Sequence, residues 1–334
     1  MRTIFASAIV AAVSSAEIIE AGEFMFMKYV AEHNKSYGTR EEFNFRMARF
    51  MEVDAFIKEV NAPGSEYTHT AGHNKFSDWT EGEFKKMMGL KAKTHSPSKE
   101  PIVLEDAQSN SGDVNWATGS CVNPVQDQGQ CGSCWAFSAT AVLESSWCLT
   151  GGSQKLWKLS EQQYVDCAGA AYFNFGCNGG NYTQAWKYNK NHGQMQESEY
   201  PYTAKDGSCS YVSADGEVGT MDGTPYVMVD GNSANMMTAT NTKPMSVSIE
   251  ADKLVFQTYH SGVITSSKCG TSLDHAVVVT GYVTSTSPNY WIVRNSWGSG
   301  WGESGYVNIG MASGAGICGI NSDPAQPFSQ QWSA

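Results

Sequence analysis

Gln128-Gly-Gln-Cys-Gly-Ser-Cys-Trp-Ala-Phe137 is the stretch that decides how the rest of the chain is read. Gly132 permits a tight turn and Ser133 is a helix N-cap residue type. An apolar, Ala-rich run then continues until Gly151 and Gly152. Cys134 is therefore expected at a helix N-terminus, where the partial positive charge favours thiolate over thiol and lowers the thiol pKa. A structural cysteine gains nothing from that placement. The pair Cys131 and Cys134 also suits a dithiol oxidoreductase or half of a zinc site. No small βαβ unit surrounds the pair, and no second Cys-x-x-Cys or His-x-x-x-His lies downstream. The dithiol oxidoreductase stays as the alternative from another class.

The chain has 334 residues, 41% of them hydrophobic, enough for a large core. Nine cysteines beside 10 Trp, 15 Tyr and 14 Phe suggest a disulfide-stapled protein from an oxidising compartment, with at least one thiol left over. A net charge of −11 without a basic stripe argues against a nucleic-acid partner. The acidity serves solubility or work in an acidic compartment, and composition does not separate the two. Arg2, the apolar run Ile4 to Val13 and the small residues Ser14-Ser15-Ala16 read as a signal peptide over residues 1–16. No other stretch approaches the length of a membrane span, so the expected mature form has no membrane anchor. Entry into the secretory pathway follows, towards a lysosome-like vacuole or the exterior.

Cys131-Gly-Ser-Cys-Trp135 resembles the nucleophile signature of papain-family cysteine peptidases. Residues upstream support the likeness. From Phe24 to about Leu90, apolar residues recur at three- and four-residue steps, which predicts an all-α module. Within it Glu42, Arg46, Phe50, Ile57 and Asn61 resemble one helix of the inhibitory propeptide of cathepsin L-like enzymes, and Gly72, Asn74, Phe76 and Asp78 resemble its second motif. Val53 stands where that family carries asparagine. The resemblance implies an α+β, papain-like two-lobed fold, with a helical lobe, a β-barrel-like lobe and a cleft between them. The expected division is signal peptide 1–16, propeptide and linker 17–110, and peptidase domain 111–334. The polar stretch Lys91 to Gly112 reads as the cleavable linker.

Downstream, Ser160-Glu-Gln-Gln163 makes a capping-box pattern for a helix ending near Cys167. Cys177-Asn-Gly-Gly180 offers either a plain turn or a backbone that an extended peptide can approach, and the resemblance assigns Gly179 and Gly180 to a substrate cleft. His275 to Val283 and Tyr290 to Asn295 read as strands, with a third at Gly305 to Ile309. A hairpin symmetric about Ser285 would set His275 directly opposite Asn295. His192 and His260 lie in polar surroundings and read as solvated surface groups, leaving His275, 141 positions after Cys134, as the base.

By the resemblance, Cys134 is the nucleophile, His275 the acid and base, and Asn295 the residue that orients the imidazole. Gln128 and the Cys134 N–H are the oxyanion donors, and Trp297 is the cover. A homologue that lost the chemistry and acts as a binding protein is the further alternative. The resemblance also implies disulfides Cys131–Cys177, Cys167–Cys209 and Cys269–Cys318. Cys121 and Cys148 are extra to that pattern, and their placement around the nucleophile helix suggests a fourth bridge. Tyr182, Ser248, Leu273 and Ala276 are assigned to the pocket for the second substrate residue before the cut (P2), with Asp323 at its floor. Asn34 and Asn181 sit in glycosylation triplets, the second at the cleft. No cofactor or metal is expected. Protein and peptide substrates and the chain's own propeptide are the expected partners of a monomer.

Overall fold

The computed structural model describes residues 20–91, 112–150 and 155–333. The signal-peptide reading, most of the linker and the Gly151-Gly152 stop lie outside the described residues. The N-terminal module contains α1 (Ala21–Glu32) and α2 (Arg40–Val60). It continues with a short strand, β1 (His69–Ala71), and α3 (Glu81–Lys85). Phe26, Tyr29 and Phe50 bury the contact between the first two helices. Val53, where asparagine was the family expectation, packs with Ile57, Val60 and Ala71 in an apolar cluster. The strand corrects the all-α expectation. Three residues carry no readable period of their own, and β1 exists because it pairs with a strand nearly two hundred positions later.

After β2 (Val114–Asn115), three helices form one lobe: α4 (Cys134–Thr150), α5 (Glu161–Cys167) and α6 (Tyr182–Tyr188). Every α4 residue from Cys134 to Cys148 is buried, so this helix is enclosed on all sides, its polar Ser138, Thr140, Glu144, Ser145 and Ser146 included. The Ser160 hydroxyl accepts from the Gln163 N–H as the capping pattern predicts, but the Gln163 amide donates to the Tyr188 hydroxyl and the Gly193 carbonyl instead of returning to the cap.

The remaining elements are β3 (Gln194–Met195), β4 (Gly216–Thr220), β5 (Tyr226–Met228) and α7 (Ser233–Thr242). Next come β6 (Met245–Ile249), α8 (Leu254–Gln257), β7 (Tyr259–Ile264) and β8 (His275–Val283). The chain ends with β9 (Tyr290–Arg294), β10 (Tyr306–Gly310), β11 (Ala325–Pro327) and β12 (Ser329–Gln331). The large sheet runs β1-β7-β10-β9-β8-β6-β11-β5, with β2 also on β8. It has two ends, so the expected barrel-like lobe is an open sheet and not a closed barrel. A three-stranded sheet β12-β4-β3 stands apart. The N-terminal module thus supplies one edge of the main sheet. Its Phe76, Phe84 and Met87 also join the same buried cluster as Trp297 and Trp301.

The hairpin register differs from the expectation. Val283 pairs with Tyr290 and Tyr282 with Trp291, so the turn is centred between Thr286 and Ser287, and a bulge between Val279 and Gly281 takes the register back by one residue towards the expected one. Four disulfides pair Cys121 with Cys148, Cys131 with Cys177, Cys167 with Cys209 and Cys269 with Cys318. Cys134 is the free cysteine.

Candidate active site

Cys134 opens α4, whose first backbone bonds run from the Ala136 and Phe137 N–H groups to the Ser133 carbonyl. The Ser133 hydroxyl is engaged elsewhere, with the Tyr202 hydroxyl at 2.7 Å. Backbone N–H groups of Ala276, Gly89 and Trp135 point at the Cys134 sulfur. Ala276 follows His275 at the start of β8, so the sheet delivers the histidine beside the helix N-terminus. His275 Nε2 lies 2.8 Å from Asn295 Oδ1, while Nδ1 is buried without a hydrogen-bond partner. His275 and Asn295 meet although the register does not set them opposite, because Asn295 lies just past β9 where the chain has left the ladder. The Asn295 oxygen also accepts from the Ser296 N–H at 2.8 Å, which fixes the amide. Trp297 lies over the imidazole with ring centroids 4.9 Å apart.

Gln128 is buried, and its amide is held at the oxygen end by the Ser296 hydroxyl at 2.8 Å. Its Nε2 donates to the Cys131 carbonyl at 2.8 Å and to the Met87 carbonyl at 2.9 Å. The second acceptor belongs to the N-terminal module. Two residues on, Gly89 passes so close that a Cβ there would stand 1.9 Å from the Gly132 carbonyl oxygen. Gly89 accepts from the Gly180 N–H at 2.8 Å, and the Gly180 carbonyl accepts from Lys91 N–H at 2.8 Å. Leu90, whose N–H donates to the Asp274 carbonyl at 3.0 Å, packs against the buried cluster containing Cys134, Tyr182 and Ala276. Gly180 is itself without room for a side chain, since a Cβ would stand 2.7 Å from the Trp135 ring.

This plug alters the electrostatics of the pair beneath it. Burial pushes the Cys134 thiol up to about 12 and the His275 imidazole down to about 4. The expectation of a lowered Cys134 pKa therefore fails in the precursor. A helix N-terminus contributes about 0.3–1 kcal/mol, and the desolvation of a fully covered thiolate exceeds it. Thiol and neutral imidazole are both fully buried under the plug.

The P2-assigned residues converge. The Tyr182 hydroxyl donates to the Asp323 carbonyl and lies 3.1 Å from the Ser248 hydroxyl, which in turn donates to Asp323 Oδ2 at 3.4 Å. Asp323 is 7% exposed and turned inward. Leu273 is half-buried, beside Gly319. Asn181 is buried, accepting from the Thr183 N–H at 2.9 Å, whereas Asn34 is exposed. His260 is exposed as expected; His192 is not a solvated group but half-buried, stacked on Tyr188 at 4.2 Å. Sequence reasoning missed Met87, Gly89, Leu90, Asp274 and Ser296. The one available signal was the lone Gly89 between apolar neighbours just before the polar linker. Cys131, bonded to Cys177, cannot form the Cys131–Cys134 dithiol of an oxidoreductase.

The module that plugs the cleft is held by a polar hub of its own. Asp78 accepts from the Tyr29 hydroxyl at 2.6 Å, the Lys35 ammonium at 2.7 Å and the Tyr37 hydroxyl at 2.9 Å. Arg46 grips Glu83 with two bonds, of 2.6 and 2.7 Å. Docking itself falls to Asn74, donating to the Gln257 carbonyl at 2.8 Å, and to Phe76 and Phe84, each 5.3 Å from Trp297. Asp78 thus organises the module internally instead of contacting the catalytic unit.

Residues 111–328 match the papain family cysteine protease domain, and residues 26–84 match the cathepsin propeptide inhibitor domain. Digestive cysteine proteinase 1 of Homarus americanus is 38% identical over 306 residues, covering 90% of this chain and 93% of the relative. Germination-specific cysteine protease 1 of Arabidopsis thaliana is 36% identical, with 91% and 83% covered. Among solved structures, digestive procathepsin L 3 from the larval midgut of Tenebrio molitor superposes with a TM-score of 0.78 at 33% identity, covering 92% of this chain and 99% of that one. The recombinant stem bromelain precursor gives 0.79 at 33% identity, with the same coverage. The nucleophile motif, the plugged cleft and these matches together identify the chain as a member of the papain family of cysteine proteases, in zymogen form with its own inhibitory propeptide.

Proposed function

We propose that, once residues N-terminal to about 111 leave, this chain is an endopeptidase working through Cys134, His275 and Asn295 with an acyl-enzyme intermediate. Removal of the plug returns water and ligand dipoles to the pair, and the proton passes from the Cys134 thiol to His275 Nδ1. The thiolate attacks the substrate carbonyl carbon. The C–N bond breaks as Nδ1–H protonates the leaving amine, and the same nitrogen then takes a proton from the water that releases the acid. Asn295 holds Nε2–H without adding a charge. The Gln128 amide and the Cys134 N–H receive the oxyanion, each donor contributing about 2.7–4 kcal/mol by analogy with other oxyanion holes.

The observation that carries this reading is the Met87 carbonyl, a peptide carbonyl lying 2.9 Å from Gln128 Nε2, two residues before Gly89, whose N–H points at the sulfur of the free cysteine. Chain direction explains why that peptide bond can survive there. Leu90 bridges Gly180 in the parallel sense and lies C-terminal to Met87, whereas a substrate's P2 residue beside Gly180 lies N-terminal to the scissile carbonyl. The test is titration of the processed protein with an epoxysuccinyl peptide while peptide cleavage and disulfide reduction are followed. One equivalent on Cys134 with complete loss of cleavage supports the reading. Disulfide reductase activity, or cleavage that survives labelling, refutes it. Delivery to an acidic vacuole or to the exterior fits the same reading, as does action as a monomer.

A further inference from the structure

Lys243 caps the C-terminus of α7 in an unusual setting. It is 7% exposed, and its ammonium donates to two neutral acceptors, the Ser146 hydroxyl at 3.0 Å and the Pro327 carbonyl at 2.5 Å. Among the described residues no carboxylate pairs with it, and burial pushes its pKa down to about 8. A desolvated cation without a counter-charge is costly, and an anion that reached it would offset part of that cost. The fold has not filled the space beside it. A cavity of about 390 Å³ lies there, with Met221, Met228, Val229 and Phe328 among its apolar walls and Thr150, Thr242, Gln326 and Ser329 beside Lys243 as its polar members. Nζ stands 5.4 Å from the Phe328 ring centroid, and Met221 is 45% exposed.

The site is remote from the cleft. Thr150, which also borders the cavity, is the last residue of α4, and Cys134 is the first, so the helix separates them by about 24 Å at 1.5 Å per residue. Nothing in the proposed chemistry or in propeptide docking uses Lys243. Cavity size, apolar walls and one positive head select the ligand. A volume of this order is that of small-molecule sites, the walls favour a hydrocarbon, and the single charge calls for a single anion. An acidic chain of net charge −11 does not favour polyanions.

We propose that this cavity binds a monoanionic carboxylate with an apolar tail of fatty-acid type, its carboxylate on Lys243 Nζ and its tail between Met228, Val229 and Phe328. The ion pair would form in a largely dry environment, where a charge-assisted bond is strong.

The test titrates the full-length precursor with decanoate by calorimetry and thermal melting, at concentrations far below micelle formation. The expected result is saturable one-to-one binding with a raised Tm, weakened at least about tenfold in Lys243→Met. Val229→Trp keeps the lysine and fills the cavity, so it should weaken binding by a similar factor even if the lysine variant folds poorly. Decylamine and decanol should bind at least about tenfold more weakly than decanoate. Absent or non-saturable binding, equal binding in both variants, or decylamine as tight as decanoate would overturn the assignment.

Discussion

His69 is the residue whose replacement should change acid activation most. It lies on β1, opposite Gly262 of β7, in the seam between propeptide and catalytic unit. It is 4% exposed, with Tyr67 and Tyr259 rings 5.5 and 6.1 Å away, and neither ring nitrogen has a partner. Burial lowers its pKa from 6.5 to about 4. Since the docked state excludes the proton, the contribution of His69 to docking is complete above pH 6.5 and is lost as the pH falls from there towards 4. If undocking restores the ordinary value, docking weakens by about 2 kcal/mol at pH 5, roughly 30-fold. Glu83 acts in another window. Arg46 holds its carboxyl down to about 2, so its contribution is lost only as the pH falls from about 4.5 towards 2. His33 and His73 are lowered by burial in the same direction as His69 and leave a residual response in any single variant. The assay is the rate at which an epoxysuccinyl peptide labels Cys134 in the full-length precursor, compared between wild type and His69→Leu. The two should react alike at pH 8, and the variant about 30-fold more slowly at pH 5. A ratio near one at pH 5 would refute the reasoning.

Three further perturbations have definite outcomes. Gly89→Ala puts a Cβ 1.9 Å from the Gly132 carbonyl oxygen and should expel the plug, raising precursor labelling at pH 8 by at least about tenfold; unchanged labelling would show that the segment can shift at little cost. Asp323→Ala should lower the ratio of kcat/KM for Arg over Phe at P2, because it removes the carboxylate beneath Tyr182 and Ser248, and an unaltered ratio would remove Asp323 from the pocket floor. Replacing both Cys121 and Cys148 by Ser opens a bridge across 27 positions and should cost about 3 kcal/mol in urea unfolding of the processed protein; no loss would mean that native contacts alone fix the start of the catalytic unit.

The elements legible in the sequence were those with local signatures. Cys134 at a helix start, the β8 and β9 strands, the propeptide motifs and the four cysteine pairs all depended on residue types at short spacings or on family likeness. What escaped depended on contacts distant in sequence. β1 is too short to have a pattern and is a strand only because β7 accepts it. The hairpin register could not be counted from the turn residues, since neither the bulge next to Thr280 nor the turn centre leaves a trace in composition. The Cys134 pKa was misjudged because a helix terminus is visible in sequence and a covering peptide is not. The meeting of His275 and Asn295 was nonetheless anticipated, since both lie at the same end of the two strands under any nearby register.

The central claim is that one thiol–imidazole pair is neutral under the propeptide and ionised after it leaves. The direct measurement is the pH dependence of Cys134 alkylation by iodoacetamide, in the full-length precursor and in the processed protein, with the modified residue identified by mass. The precursor should react negligibly through neutral pH. The processed protein should react rapidly well below pH 8.5, the ordinary range of a free thiol. Identical profiles for the two forms, or a processed protein that reacts only as an ordinary thiol, would contradict the account.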